Sequence, residues 1–479
     1  MILVLLILLP LLGGIASLVL KGKNSWYIGI IVSIAVILLS LLGYQEISGE
    51  GSNGFFDFQQ QWIPEIGAQF SLSMNNIGFL MCVMTGIVFL LNFLALENKI
   101  PERASRFFGL SLLAMSGLLG VFLAKDALLF YIFWELALIP VYFLCSMYGG
   151  ENRVKASFKF FIYTFIGSLL MLVAILYIHQ ASNVHSFAWA DFVEAGSMLP
   201  QSTQCWLFAG FFIAFAIKMP IFPFHTWQPD TYEQSATPVT VILSAVMVKM
   251  GLFAVLVWLL PVLDAGAICW SNWVLLLCVI SIIYASLMAL VQTNIKRLAA
   301  YSSVAHIGLM CAAIFSYTTI GREGAMLQMF NHGINILGMW LLVHIIEHRL
   351  GTQDMRKMGG LAKTAPVFAI ALVLISLANI ALPLTNSFAP EFMMLNGLFN
   401  SESQFAIYFA IFAGLAVILG AIYTLNMIQR VALGPESEAS AQFADLSWNE
   451  RIALFAIMAI ILVLGFCPGL LINLLKLGA

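Results

Sequence analysis

Six ionisable residues lie inside apolar runs, where a side chain that carries charge is costly. They are Glu135 in YIFWELALIPVYF, Lys218 in AFAIKMPIF, Lys249 in VTVILSAVMVKMGLFAVLVW, His306 in AAYSSVAHIGL, His332 in LQMFNHGINILG and Glu391 in NSFAPEF. No nucleophile stands beside a base in this set, and no metal-ligand spacing emerges. What carboxylates, amines and imidazoles share is proton exchange. A buried lysine binds its proton less tightly through desolvation and more tightly beside a carboxylate. Histidine titrates near neutrality and can pass a proton between its two ring nitrogens. A charge near mid-bilayer costs about 3 kcal/mol or more, so each group needs a partner or a watered cavity. His225 and Asp230, just after Lys218, are secondary candidates. Each group also has a plainer reading. Glu135 can be a protonated acid bonded to a carbonyl, or half of a structural pair with Lys218. Lys249 can snorkel. A lone histidine can be packing, as His225 beside Trp227, and His344 and His348 fall near a helix end.

The elements that must hold these groups follow from composition. The chain has 479 residues, 62% hydrophobic and 9% charged, with a mean hydropathy of +0.98. Soluble chains carry about 25% charged residues. This is an integral membrane protein. Its apolar runs exceed the roughly 18–20 residues that span a bilayer as a helix. They are continuous rather than alternating, which selects helices over a closed barrel. The first run has no basic segment before it, so it reads as a span rather than a cleaved leader. The seven cysteines form no C-x-x-C, and neither G-x-G-x-x-G nor a P-loop occurs. No metal, nucleotide or nucleic-acid site is expected.

Fourteen spans are expected, the first six near 2–20, 26–45, 76–96, 106–124, 127–147 and 157–179. The seventh runs over 205–222 and breaks into a second piece reaching 234. Four follow near 236–260, 272–291, 298–317 and 324–348. The twelfth runs over 367–383, breaks, and resumes over 388–400. The last two lie near 404–429 and 450–472. Proline cannot donate to the helix ladder, and Pro220 and Pro383 mark the two breaks. Interrupted helices in matching positions of two halves point to inverted repeats around an ion path. The alternative is a pair of ordinary proline kinks. The basic residues test the count. Of 21 Lys and Arg, sixteen fall on one side, three (Lys125, Arg322, Lys476) on the other, and Lys218 and Lys249 inside. By the positive-inside rule, both termini face the outer, periplasmic side.

The ordered set FWELALIPVYF, FAIKMPIFPFHTWQPD, LSAVMVKMG, TNIKRLAAYSSVAHIG, MFNHG and ALPLTNSFAPEF resembles the antiporter-like membrane subunits of proton-pumping NADH:quinone oxidoreductase, respiratory complex I. The resemblance spans nearly the whole chain. It implies an all-α polytopic fold of about fourteen transmembrane helices, with two inverted five-helix repeats and discontinuous helices seven and twelve. The corresponding segments are 1–100 (three N-terminal helices), 101–260 and 261–430 (the repeats) and 431–479 (the last helix). Most members carry lysine at the position of Glu391; glutamate marks the middle antiporter-like type. By resemblance, Glu135 and Lys218 are a sensing ion pair, Lys249 the central carrier, His306 and His332 relays, and Glu391 the terminal site. NADH, FMN, iron–sulfur clusters and quinone would belong to partner subunits, with none on this chain. L-type and N-type chains would flank it in the lipid of a bacterial inner membrane. The chain departs from the family at Leu384 and Pro390, where glycines are common, and at Asp230-Thr231-Tyr232. Two other readings remain: a subunit of a cation (Na+)/proton antiporter or membrane-bound hydrogenase, and a non-pumping scaffold.

Overall fold

In lipid a helix satisfies its own backbone, and the apolar runs fold accordingly. The computed structural model describes residues 1–20, 23–48, 56–96 and 103–476. Lys21 and Lys99 of the charge sorting, and the side chain of Lys476, lie outside the described residues. Among the described residues, 12 helices are long and apolar enough to cross a membrane. They begin with α1 (Ile2–Val19), α2 (Lys23–Ser48), α3 (Asn76–Ala95), α4 (Ala104–Leu123), α5 (Ala127–Met147) and α6 (Arg153–Ala181).

Two shorter helices follow, α7 (Trp189–Met198) and α8 (Gln201–Lys218), the second continued after a gap by α9 (Trp227–Gln234). Next come α10 (Thr237–Val262), α11 (Asp264–Val291), α12 (Ile295–Ile314) and α13 (Thr319–Leu350). A second interrupted helix comprises α14 (Pro366–Asn379) and α15 (Phe388–Phe399). The chain ends with α16 (Ala406–Leu433), α17 (Trp448–Phe466) and the short α18 (Gly469–Lys476).

Both breaks sit where the prolines placed them, yet the helices stop earlier than expected. α8 ends at Lys218 rather than 222, and α14 at Asn379 rather than 383. The residue before a proline is pushed out of helical geometry, so the last turn is lost upstream of Pro220 and Pro383. Each gap is eight residues long. The fourteenth span also differs: it stops at Phe466, before Pro468.

Residues 56–74, between the second and third expected spans, form an antiparallel hairpin of β1 (Phe56–Ile63) and β2 (Ala68–Met74). It caps one end of the bundle. Lys125 joins Asp57 at 2.9 Å, and the Asp126 carboxylate accepts from Gln69, Leu128 and Leu129 N–H while capping α5. Gly43 lies against both Met74 and Ile2, and Asn76 donates to the Leu474 carbonyl. Both ends of the described chain therefore lie at the hairpin end.

The long helices divide by burial. α3, α10, α12 and α13 are mostly enclosed, while α1, α2, α6, α16 and α17 leave much of their apolar surface exposed. Lys249, His306 and His332 ride on three of the enclosed helices, α10, α12 and α13.

Candidate functional site

α10 is built irregularly around its lysine. Residues Leu243–Met247 and Val255–Leu259 are π turns, a distortion frequent at functional positions. In the first, Val248 N–H reaches back to the Leu243 carbonyl, so the ladder slips by one carbonyl. The Lys249 ammonium, 0% exposed, donates to the Ser244 carbonyl at 2.7 Å. The Ser244 hydroxyl is in turn held by the Trp340 indole at 2.9 Å. Lys249 does not snorkel; the π turn gives it a partner inside the bundle.

Lys249 Nζ also lies 2.9 Å from His332 Nδ1. An ammonium can only donate, so His332 presents a bare Nδ1 to it. The rings of His332 and His306 stand 5.3 Å apart. His306 Nδ1 is 2.8 Å from the Ser302 carbonyl, and Nε2 is 2.8 Å from the Asn379 carbonyl. Carbonyls only accept, and a neutral imidazole has one N–H; both contacts are satisfied together only by the imidazolium. The Glu391 carboxylate stands 3.6 Å from Nε2, within ion-pair reach. Lys249, His332, His306 and Glu391 thus form one chain of neighbours crossing from the first half of the molecule to the second break.

Small residues allow this approach. A Cβ on Gly251 would lie 2.8 Å from the Phe215 carbonyl, so α10 packs directly on the end of α8. A Cβ on Gly324 would lie 3.0 Å from the Pro390 carbonyl, so α13 packs equally closely on α15. Pro390 falls in the first turn of α15, where a missing N–H breaks no intrahelical bond. The first bond of that turn, Glu391 N–H to the Ser387 carbonyl, forms at 3.0 Å.

The other two members of the row stand apart. Lys218 is 1% exposed and its ammonium has no hydrogen-bond partner among the described residues. It faces the rings of Trp134 at 5.4 Å and Phe160 at 5.9 Å, a weaker substitute for an anion. Glu135 Oε1 is likewise unbonded among the described residues. The expected Glu135–Lys218 ion pair is not closed; the ammonium faces the ring of Trp134, the residue before Glu135, instead.

Both secondary candidates lie off the row. His225 packs against Phe222 and Tyr284 rather than beside Trp227. The Trp227 indole instead donates to Ile217 O at 2.9 Å, a carbonyl at the end of α8. Asp230 joins a charged cluster at the end of the bundle away from the hairpin. It pairs with Lys159 at 2.8 Å and Arg297 at 3.2 Å, and Glu233 pairs with Arg297 at 2.7 Å. Lys296 binds Glu347 and the Ser235 carbonyl, each at 3.0 Å. These bonds anchor α9 to α6, α12 and α13. Tyr232, at one of the departures from the family pattern, is wholly buried between Trp227 and Trp340.

Reading the sequence missed Ser244, Ser302, Asn379 and Trp340. Their contributions are carbonyls, a hydroxyl and an indole, and only the fold shows which of many they are. One signal was available: Ser244 precedes Lys249 by the five residues of a π-turn bond.

A family model described as NADH:quinone oxidoreductase/Mrp antiporter, TM, matches residues 124–418, which include all six row residues. The chain belongs to this family. Within the NADH:quinone oxidoreductase/Mrp antiporter family, it is 34% identical over 481 residues to NADH-quinone oxidoreductase subunit M of Rickettsia prowazekii, covering 98% of this chain and 96% of that one. It is also 34% identical to the subunit M of Rhodobacter capsulatus, over 95% of this chain and 89% of that one. Among solved structures of the family's fold, a chain of respiratory complex I from Thermus thermophilus superposes with a TM-score of 0.88 at 28% identity, over 100% of both chains. A chain of the Mrp complex from Dietzia shares the fold at a TM-score of 0.87 and 20% identity, covering 52% of that chain.

Proposed function

We propose that this chain is the subunit M type proton-translocating membrane subunit of an NADH:quinone oxidoreductase. The carrying observation is the continuous contact from Lys249 through His332 and His306 to Glu391. In this reading a disturbance from a neighbouring subunit reaches the open Glu135–Lys218 site first. Lys218 has no bond to lose, so a shift of Glu135 changes its charge balance directly. The changed field at Lys249 drives its proton onto His332 Nδ1, leaving a neutral amine on the Ser244 carbonyl. The imidazolium at His306 gives its Nε2 proton to Glu391 and is recharged from His332. Net, one proton moves from Lys249 to Glu391 and no electron is transferred.

Redox carriers and quinone belong to partner subunits, and the L-type and N-type chains are the expected neighbours. The two interrupted helices support inverted repeats over 101–260 and 261–430, with 1–100 and 431–479 flanking them. The charge distribution supports termini and hairpin on the periplasmic side of a bacterial inner membrane, with the Asp230–Arg297 cluster at the cytoplasmic face. The identities to subunit M chains favour this reading over a free-standing cation/proton antiporter.

The test is proton pumping per electron by the assembled complex carrying Lys249→Ala or Glu135→Gln. Each is expected to lower it while NADH oxidation continues. Unchanged pumping in both would falsify the reading, and sodium-for-proton exchange without NADH would point to the antiporter.

A further inference from the structure

We propose that Tyr423 is the seal that keeps Glu391 from connecting to the cytoplasmic face; this rests on the pumping role proposed for Glu391. Two cavities meet at this side chain. One, of about 30 Å³, is lined by His306, Glu391 and one stripe of α16, and it is the size of a single water. The other, of about 10 Å³, is lined by Tyr423, Asn426 and Arg430 of α16 with Gln292 and Met355 from the loops at the charged end. Tyr423 is the α16 residue common to both.

The stripe explains why. Ala413, Ala416 and Gly420 follow each other at helical spacing along the first cavity, and small side chains there leave room beside Glu391. At the next turn the stripe changes to a buried phenol, then to Asn426 and Arg430. The phenol is fixed in place. Its oxygen lies 2.9 Å from the Ser302 hydroxyl, which also accepts from Asn379 Nδ2 at 3.2 Å. Ser302 and Asn379 are the two residues whose carbonyls hold His306. The seal is therefore latched to the relay it protects. Beyond it, the exposed Arg430 guanidinium sets a positive field at the mouth, which disfavours a hydrated proton entering from that side. A pump whose terminal acid opened to both faces would dissipate the gradient it builds. Ring and cation together close the inward route by bulk and by charge.

The experiment reads passive proton permeability of liposomes holding the assembled complex, without NADH, as the decay of an imposed pH gradient. Tyr423→Ala is expected to speed decay several-fold. Tyr423→Phe keeps the ring and loses one hydrogen bond, so it is expected to stay within about twofold of the parent. Adding Glu391→Gln to Tyr423→Ala is expected to restore the slow decay, because the leak passes through Glu391. A fast decay that Glu391→Gln leaves in place is damage to the fold and overturns the seal, as does a slow decay in Tyr423→Ala. Glu391→Gln alone tests the parent reading: unchanged protons per electron sinks the pumping role whatever Tyr423 does.

Discussion

At the first break Lys218 ends α8 with no hydrogen bond, held only against Trp134 and Phe160. At the second, Glu391 lies one turn inside α15 and faces His306 at 3.6 Å. The backbones are alike: eight residues are missing from the helix in each, and each packs on a glycine of a neighbouring helix. The loads differ. An ammonium that faces aromatic rings rather than an anion responds to a remote charge. A group within ion-pair reach of a histidine has its proton traffic tied to that neighbour. In the proposed cycle the first break receives the signal and the second delivers the proton.

The most severe way to test this difference is to give the second break the charge of the first. Glu391→Lys replaces attraction to His306 by repulsion. Near 4 Å that reversal concerns interactions of about 4 kcal/mol each at an effective dielectric constant of 20. Protons pumped per NADH in reconstituted complex are expected to fall at least about tenfold, as for loss of a positioned acid–base group. Pumping near the parental level would show that the terminal site tolerates either charge, and the contrast between the breaks would lose its meaning.

Lys218→Met tests the other side. It removes a buried ammonium that has no hydrogen bond, so the desolvation penalty disappears with it. Stability is expected to hold or rise by about 1–3 kcal/mol, while pumping falls because the receiving charge is gone. A thermal midpoint of the detergent-solubilised complex that drops instead would mean Lys218 has a partner that holds the fold.

How far the sequence foretold this depended on the kind of signal. Glu135, Lys218, Lys249, His306, His332 and Glu391 stand out because charge inside an apolar run is costly, and Pro220 and Pro383 fall just past helix ends, although Pro10 and Pro140 sit inside unbroken helices. Order along the row was misjudged: chain order runs Lys249, His306, His332, Glu391, whereas the structure places His332 beside Lys249 and His306 beside Glu391. Nothing in the spacing separates Lys218, which is alone, from Lys249, which is wired to Ser244 and His332. That depends on a π turn whose Ser244 is held by Trp340 of α13, and on the Trp134 ring that faces the Lys218 ammonium. The hairpin was missed because FDFQQQWI alternates weakly and its partner strand lies close behind a short turn. Helix ends at the breaks were misjudged by about one turn, since apolarity continues past the last hydrogen bond.

Packing at the breaks yields a paired prediction of intermediate size. Gly251→Ala would bring a Cβ within 2.8 Å of the Phe215 carbonyl, and Gly324→Ala within 2.9 Å of Met394 N and 3.0 Å of the Pro390 carbonyl. Both contacts are with backbone, so neither neighbour can rotate away. Each substitution is expected to cost about 1–3 kcal/mol, seen as a lower thermal midpoint. The functional effects should differ. Gly324→Ala displaces α15 and lengthens the His306–Glu391 approach, so it is expected to slow pumping more than Gly251→Ala does. Equal slowing by both would argue that the two breaks act as one unit.

The smallest effect belongs to Leu384, and it has the opposite sign. The second break holds two non-glycine residues in the left-handed region, Ala381 at φ 54° and Leu384 at φ 72°. The first holds none among the described residues. An L-residue there costs about 1–2 kcal/mol, and Leu384 recovers little of it, being 59% exposed. Its carbonyl is tightly placed against Gly465 of α17, where a Cβ would come within 2.1 Å, so the backbone cannot relax away from the strain. Leu384→Gly removes the clash of the side chain with its own backbone. It also frees the unfolded chain, which returns about 0.5–1 kcal/mol of the gain. The net expectation is a stabilisation of up to about 1 kcal/mol. It would be read as a rise in thermal midpoint with proton pumping unchanged, because the Leu384 side chain is exposed while Glu391 is buried. A fall in stability would mean that the exposed leucine is covered in the assembled membrane arm, and that the second break is held by a neighbour as well as by its own helices.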